Sequence, residues 1–82
     1  MNHTEALKAV LKLTGKTAAQ IGAELGMSSN STISMRINRK TVWMANVLEI
    51  LEACGYEMVA MPKSSLRLPD DMFVLRKEDY ET

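Results

Sequence analysis

TAAQIGAELGMSSNSTISMRINRK, residues 17–40, predicts two short helices joined by a tight turn. The first is expected over about residues 18–25, because a Thr-x-x-Gln capping pattern precedes it. Gly26 stands where a helix commonly ends on a left-handed residue. The second is expected over about residues 30–38, with small polar residues at its start and a basic cluster at its end. A helix of that composition, held beside another by a short turn, is typical of a unit that presents one polar face to a partner.

Two further helices are predicted on either side of this pair. Apolar residues recur at helical spacing over about residues 4–13, with Thr4 as the expected N-cap and Gly15 as the end. A second apolar pattern runs over about residues 44–54 and stops at Gly55. The sequence therefore predicts a mainly α fold of four helices.

The pattern changes after the fourth helix. Residues 56–61 form a short β-like run that Pro62 stops, and residues 73–76 form a weaker one. These runs are expected to pair with each other on the helices or with a second subunit, and the last residues, 77–82, are expected to be frayed. We therefore divide the chain into a helical unit, residues 1–56, and a β-like C-terminal extension, residues 57–82.

Length and composition restrict the classes of function. A chain of 82 residues is one small domain for which dimerisation is a common source of extra burial. One cysteine, Cys54, and one histidine, His3, cannot form an intramolecular disulfide or build a metal site alone. We expect a cytoplasmic protein with no cofactor, no metal and no membrane span. No nucleophile with a base and an orienting partner is evident, so we expect no enzyme.

The formal net charge is zero, but the charges are unevenly distributed. No acidic residue lies between Glu24 and Glu49, whereas Arg36, Arg39 and Lys40 fall in that interval. The acidic C-terminal residues mask this basic middle in the sum. Because the local field governs phosphate binding, the middle of the chain favours nucleic acid. The alternative is an ordinary solvated surface.

Residues 17–38 resemble the helix-turn-helix of the lambda-repressor-like, Cro- or XRE-type family of DNA-binding proteins. The matching motifs are Thr17-Ala18-Ala19-Gln20, Gly26-Met27-Ser28, Ser31-Thr32-Ile33-Ser34 and Arg36-Ile37-Asn38. The likeness covers roughly residues 4–56. It implies a four-helix DNA-binding domain whose second short helix enters the major groove. The turn is one residue longer than usual, and a β-like tail replaces the fifth helix that the family commonly has.

The DNA-contacting residues are predicted on and around this recognition helix. Asn and Ser at its start can bond base edges, and Met35 can contact a thymine methyl group. The basic side chains late in the helix and after it suit phosphate contacts, as do polar side chains at the positive N-terminal end of the preceding helix. Capping, solvation and edge-of-core packing are the alternative roles. The predicted set is Thr17, Gln20, Ser29, Asn30, Ser31, Thr32, Ser34, Met35, Arg36, Asn38, Arg39 and Lys40.

The fourth predicted helix carries one apolar stripe of Met44, Leu48 and Leu51 and a second of Val47, Ile50 and Cys54. A dimer interface is predicted on the second stripe, with Trp43 at its head, and on the β-like run. Its residues are Trp43, Val47, Ile50, Cys54, Tyr56, Met58 and Ala60. For Trp43 the favoured role is packing of the fourth helix against the third, and the dimer contact is the other role.

The leading functional hypothesis is a sequence-specific transcriptional regulator, a repressor or autoregulator of prokaryotic or phage type. It would act as a homodimer on an inverted-repeat operator in double-stranded DNA. The alternative is an antitoxin-like or inhibitor module of the same fold whose C-terminal tail binds another protein by strand addition.

Overall fold

The computed structural model describes residues 1–27, 31–63 and 67–80, with only the backbone of Ser31. This part of the chain contains four α-helices: α1 (His3–Thr14), α2 (Ala18–Glu24), α3 (Ser31–Asn38) and α4 (Met44–Ala53). A short 3₁₀ helix, Lys77–Tyr80, follows. The predicted mainly α fold is therefore confirmed.

The first helix begins earlier than predicted. Asn2 is the N-cap, and its side chain accepts a hydrogen bond from the Glu5 N–H at 3.0 Å. The prediction that Thr4 caps α1 is wrong, because Thr4 lies within the helix. Gly15 ends the helix with φ 71°, a left-handed conformation that glycine adopts without steric cost.

The junction between α2 and α3 has the predicted chemistry. Thr17 and Gln20 form a reciprocal capping box, in which each side chain accepts a hydrogen bond from the other residue's backbone N–H. Gly26 has φ 73°, and the Met27 N–H then bonds the Gly22 carbonyl at 2.8 Å. Residues 28–30, which include the predicted contacts Ser29 and Asn30, lie outside the described residues.

The core is small and almost wholly aliphatic. Ile21 and Ile33 have no exposed surface, and Leu7 and Ile50 are each 1% exposed. All four helices contribute to this one cluster, which consists of Leu7, Val10, Ile21, Ile33, Ile37, Val47, Ile50, Leu51 and Cys54. Burial of these side chains is the main favourable term in the fold.

The predicted C-terminal strands are not seen in the described part of the chain. Residues 56–61 and 73–76 are linked by side chains instead: the rings of Tyr56 and Phe73 lie 6.4 Å apart, and both residues pack against the helical core. An isolated hairpin is marginal in water. Packing of Tyr56 and Phe73 on the helices therefore stabilises this segment more than pairing of the two runs as strands would. The expectation that residues 77–80 fray is also wrong, because they form the 3₁₀ helix and contact α1.

None of the described helices has the length and apolar content needed to cross a bilayer. Within the same residues, no three His, Cys, Asp or Glu side chains are grouped to hold a metal ion.

Burial raises the pKa of the Cys54 thiol, and a hydrogen bond with Thr14 and the charge of Lys16 oppose this effect. The folded chain therefore keeps the thiol proton to higher pH than the unfolded chain. We expect the thiol's contribution to stability to be intact below its ordinary pKa and to be lost as pH rises through the raised value. Urea unfolding over an alkaline pH series measures this loss, and Cys54→Ala is the control. Identical pH slopes for the two proteins would contradict the prediction.

Candidate nucleic-acid interface

Helix α3 has one buried and one exposed face. Ile33 and Ile37 are 0% and 3% exposed and anchor the helix to the core. Ser34, Met35 and Asn38 are exposed on the other side. Met35 is 52% exposed, so the alternative of edge-of-core packing does not describe its side chain. The outer face thus presents a hydroxyl, a thioether and an amide.

Two of the predicted residues near the start of α3 remain only partly placed. Thr32 is half-buried, and the side chain of Ser31 is not among those described. Whether these residues, with Ser29 and Asn30, contact bases stays a prediction.

The basic cluster divides into two kinds of residue. Arg36 Nη1 lies 3.1 Å from Glu49 Oε2, so its charge is paired with a carboxylate of α4. Arg39 and Lys40 are exposed just after the end of α3. These two side chains are the better phosphate ligands, because a contact by Arg36 would compete with an existing ion pair.

The polar residues at the start of α2 are already engaged. Thr17 Oγ1 accepts from the Gln20 N–H at 3.2 Å, and Gln20 Oε1 accepts from the Thr17 N–H at 2.7 Å. Both side chains are exposed. The Gln20 NH₂ group remains chemically suited to donate to an anion, whereas both side-chain oxygens serve the cap.

The C-terminal end of α3 is held by side chains of α1. The Thr4 hydroxyl donates to the Ile37 carbonyl at 2.5 Å, and His3 Nε2 lies 2.7 Å from the Arg39 carbonyl. A carbonyl oxygen only accepts, so this nitrogen of the His3 ring carries the proton. The last carbonyls of a helix have no partner within it, and here α1 supplies two donors.

The 3₁₀ helix completes this arrangement from the other end of the chain. Tyr80 Oη accepts from the His3 backbone N–H at 2.6 Å and lies 2.8 Å from His3 Nδ1, to which it donates in this tautomer. The two rings stack with centroids 5.6 Å apart. The terminal amino group also pairs with Asp79. His3 is 4% exposed, and all its polar atoms are bonded within the chain.

Sequence reasoning gave His3 no role and missed this network. One signal was present: His3 precedes Ala6 and Leu7 by three and four residues, which places it on the buried face of α1. Nothing in the sequence indicated that Tyr80 would reach it.

The predicted dimer residues occupy three environments. Val47, Ile50 and Cys54 lie in the chain's own core at 4%, 1% and 8% exposure, so their side chains pack within the chain and offer little surface to a partner. Tyr56 is half-buried against the same core. The favoured role of Trp43, packing of α4 against α3, does not describe its side chain, which is 79% exposed at the start of α4. Met58 and Ala60 are exposed as well.

The chain matches no protein-family model, no curated protein and no solved structure at a significant level.

Thr4→Val should destabilise the fold by about 1–2 kcal/mol, because the Ile37 carbonyl loses its donor while the side-chain shape is kept. Urea unfolding followed by circular dichroism measures the loss. Thr41→Val is the matched control, the same chemical change at an exposed threonine just after α3. We expect a clearly smaller effect there, and an equal loss in both variants would argue against capping of α3 by α1.

Tyr80→Phe should cost about 1–2 kcal/mol, because the His3 backbone N–H and Nδ1 lose their partner in a buried position. Tyr56→Phe is the same chemical change at an exposed hydrogen bond, to the Asp71 carbonyl at 3.1 Å, and should be close to neutral. Thermal unfolding of both variants tests the difference. A neutral Tyr80→Phe would show that the tail does not support the helices.

Proposed function

We propose that this protein is a sequence-specific DNA-binding transcriptional regulator, a repressor or autoregulator, whose α3 enters the major groove. One observation carries the proposal: α3 exposes a face of small polar and apolar side chains, is anchored by two buried isoleucines, and ends beside two exposed cations. A groove-reading helix needs this combination of rigid anchoring, readable groups and flanking positive charge.

The outer face of α3 offers groups that suit base edges. The Ser34 hydroxyl can donate or accept, and Met35 can contact a thymine methyl group. Asn38 Nδ2 donates to the Ser34 carbonyl at 2.8 Å, which leaves the amide oxygen of Asn38 to accept from a cytosine or adenine amino group. Asn30 and Ser31, which are predicted at the start of the recognition helix, complete the proposed reading set.

Phosphate contacts come from the end of α3 and from the start of α2. Arg39 and Lys40 supply charge, and the Gln20 NH₂ supplies a neutral donor. The Arg39 carbonyl is held by His3, so the backbone that carries both cations is fixed before DNA arrives. A preorganised contact loses less entropy on binding.

One copy of such a small unit makes a limited DNA contact, of about 600–1,000 Å² for a single module. We therefore propose a homodimer in the cytoplasm that binds an inverted repeat with half-sites roughly 34 Å apart. No cofactor is part of the proposal.

Fluorescence anisotropy tests it, with the purified protein, the duplex upstream of its own gene and a shuffled duplex of equal length. We expect tighter binding to the native duplex and weaker binding to both as salt rises. Binding to neither duplex would overturn the proposal and favour a protein-interaction role.

Single substitutions should separate recognition of base sequence from electrostatic binding to phosphates. Arg39→Ala should weaken binding to the native and shuffled duplexes alike and reduce the salt slope by about 1 per subunit. Met35→Ala should reduce the preference for the native duplex, at a cost of roughly 1–3 kcal/mol to native binding only. Lys12→Ala, an exposed base on α1, is the charge control and should leave both affinities unchanged. If Arg39→Ala and Met35→Ala behave identically, the assigned roles are wrong.

A further inference from the structure

Residues 57–63, EMVAMPK, are seven consecutive exposed residues, which we call the apolar strap. Val59 is 73% exposed, Met61 49% and Met58 39%. Three exposed large apolar side chains therefore lie within four consecutive positions, 58–61. A continuous exposed apolar segment is characteristic of an interaction site.

The peptide groups of the apolar strap also lack backbone partners among the residues that the structure describes. No backbone–backbone hydrogen bond to residues 57–63 is found within the described part of the structure. Tyr56, just before the strap, is the last residue tied back to α4, through its N–H and the Leu51 carbonyl at 2.8 Å. An apolar segment with unpaired peptide groups is suited to pair with another strand.

We propose that the occupant is a second copy of this chain, and that two apolar straps pair as antiparallel strands about a two-fold axis at Ala60. This deepens the homodimer of the proposed function by giving its interface and register. In this register the residue numbers of each facing pair sum to 120, so Ala60 faces Ala60 of the partner subunit. Val59 faces Met61 of the partner subunit.

The charges of the strap complement each other in this register. Glu57 faces Lys63 of the partner subunit, and the pair occurs twice by symmetry. Residues 58–61, MVAM, are uncharged, so no like charges face each other near the two-fold axis. An isologous interface must be self-complementary, and this segment is.

Pro62 fits the same register. When the two Ala60 residues form a non-hydrogen-bonded pair, the peptide groups of residues 57, 59, 61 and 63 point to the partner. Those of residues 58, 60 and 62 then point away, so the missing N–H of Pro62 is not needed. If the two Ala60 residues formed a hydrogen-bonded pair instead, position 62 would have to donate an N–H, which proline lacks.

The two sides of the paired strands also match the structure. Met58 lines a groove of about 270 Å³ together with Met44 and Leu75, so its side of the strap faces the body of its own subunit. Val59 and Met61 alternate with it and lie on the other side. Stable interfaces bury about 800 Å² per partner, and the neighbouring α4 residues Met44 and Leu48, 59% and 40% exposed, extend the apolar area beyond the strap.

Cysteine cross-linking tests the register. Ala60→Cys places two thiols at a non-hydrogen-bonded pair, where Cα atoms lie about 4.5 Å apart, within the range of a disulfide. We expect mild oxidation to yield a covalent dimer. Met58→Cys is the matched control, because its two copies would be about 13 Å apart along the strands. Wild type, with Cys54 buried, should give none. No cross-link at position 60, or equal yield at 58 and 60, overturns the register.

A charge exchange tests the pairing without oxidation. Glu57→Lys and Lys63→Glu each replace two attractive pairs by repulsive ones and should weaken the dimer roughly tenfold in sedimentation equilibrium. The double variant restores opposite charges and should recover the wild-type dissociation constant. Absence of recovery, or a monomeric wild type at millimolar concentration, overturns the proposal.

Neither experiment contains DNA, so the two proposals fail separately. Cross-linking at position 60 without DNA binding would retain this interface and remove the regulator. Native-duplex binding without cross-linking would retain the regulator and place the dimer contact elsewhere.

Discussion

The complete burial of Ile21 and Ile33 on either side of the Gly26 turn is the constraint on which the rest of the structure depends. Ile21 anchors α2 to the core and Ile33 anchors α3. Neither helix is long enough to be stable alone. Once Ile33 and Ile37 face the core, the 3.6-residue period leaves Ser34, Met35 and Asn38 no direction but solvent. The exposed polar face of α3 is therefore a consequence of core packing.

The far end of α3 depends on residues that are remote in sequence. Thr4 and His3 bond its last carbonyls, and Tyr80 holds His3 from 77 residues away. The tail beyond α4 is thus joined to the helical unit by partly buried hydrogen bonds. The proposed DNA-reading helix and the tail therefore share one support. Removing the tail would disturb α3 as well, so point substitutions separate their roles better than truncation.

The helices could be predicted from residues that are close in sequence, whereas the contacts between distant parts of the chain could not. The capping box of Thr17 and Gln20, the apolar period and the glycine stops are all decided within a few residues, and each predicted helix is present. The Arg36–Glu49 pair and the contact of Tyr80 with His3 join elements whose relative placement no local pattern specifies. The predicted strands were wrong for the same reason. Alternation of apolar and polar residues indicates which side chains share a face, but a β-strand also needs a neighbouring strand to which its backbone can hydrogen-bond.

The paired charge of Arg36 links the two proposals. With Arg36 held by Glu49, one subunit offers Arg39 and Lys40 as its exposed cations at the end of α3. Two phosphate contacts give a salt slope of roughly −2, which is small beside that of tight DNA-binding proteins. Two subunits double the number of phosphates and make the second contact intramolecular. In the proposed regulator, useful affinity for DNA would therefore come mainly through pairing of two subunits, and the apolar strap carries the exposed surface that the proposed pairing uses.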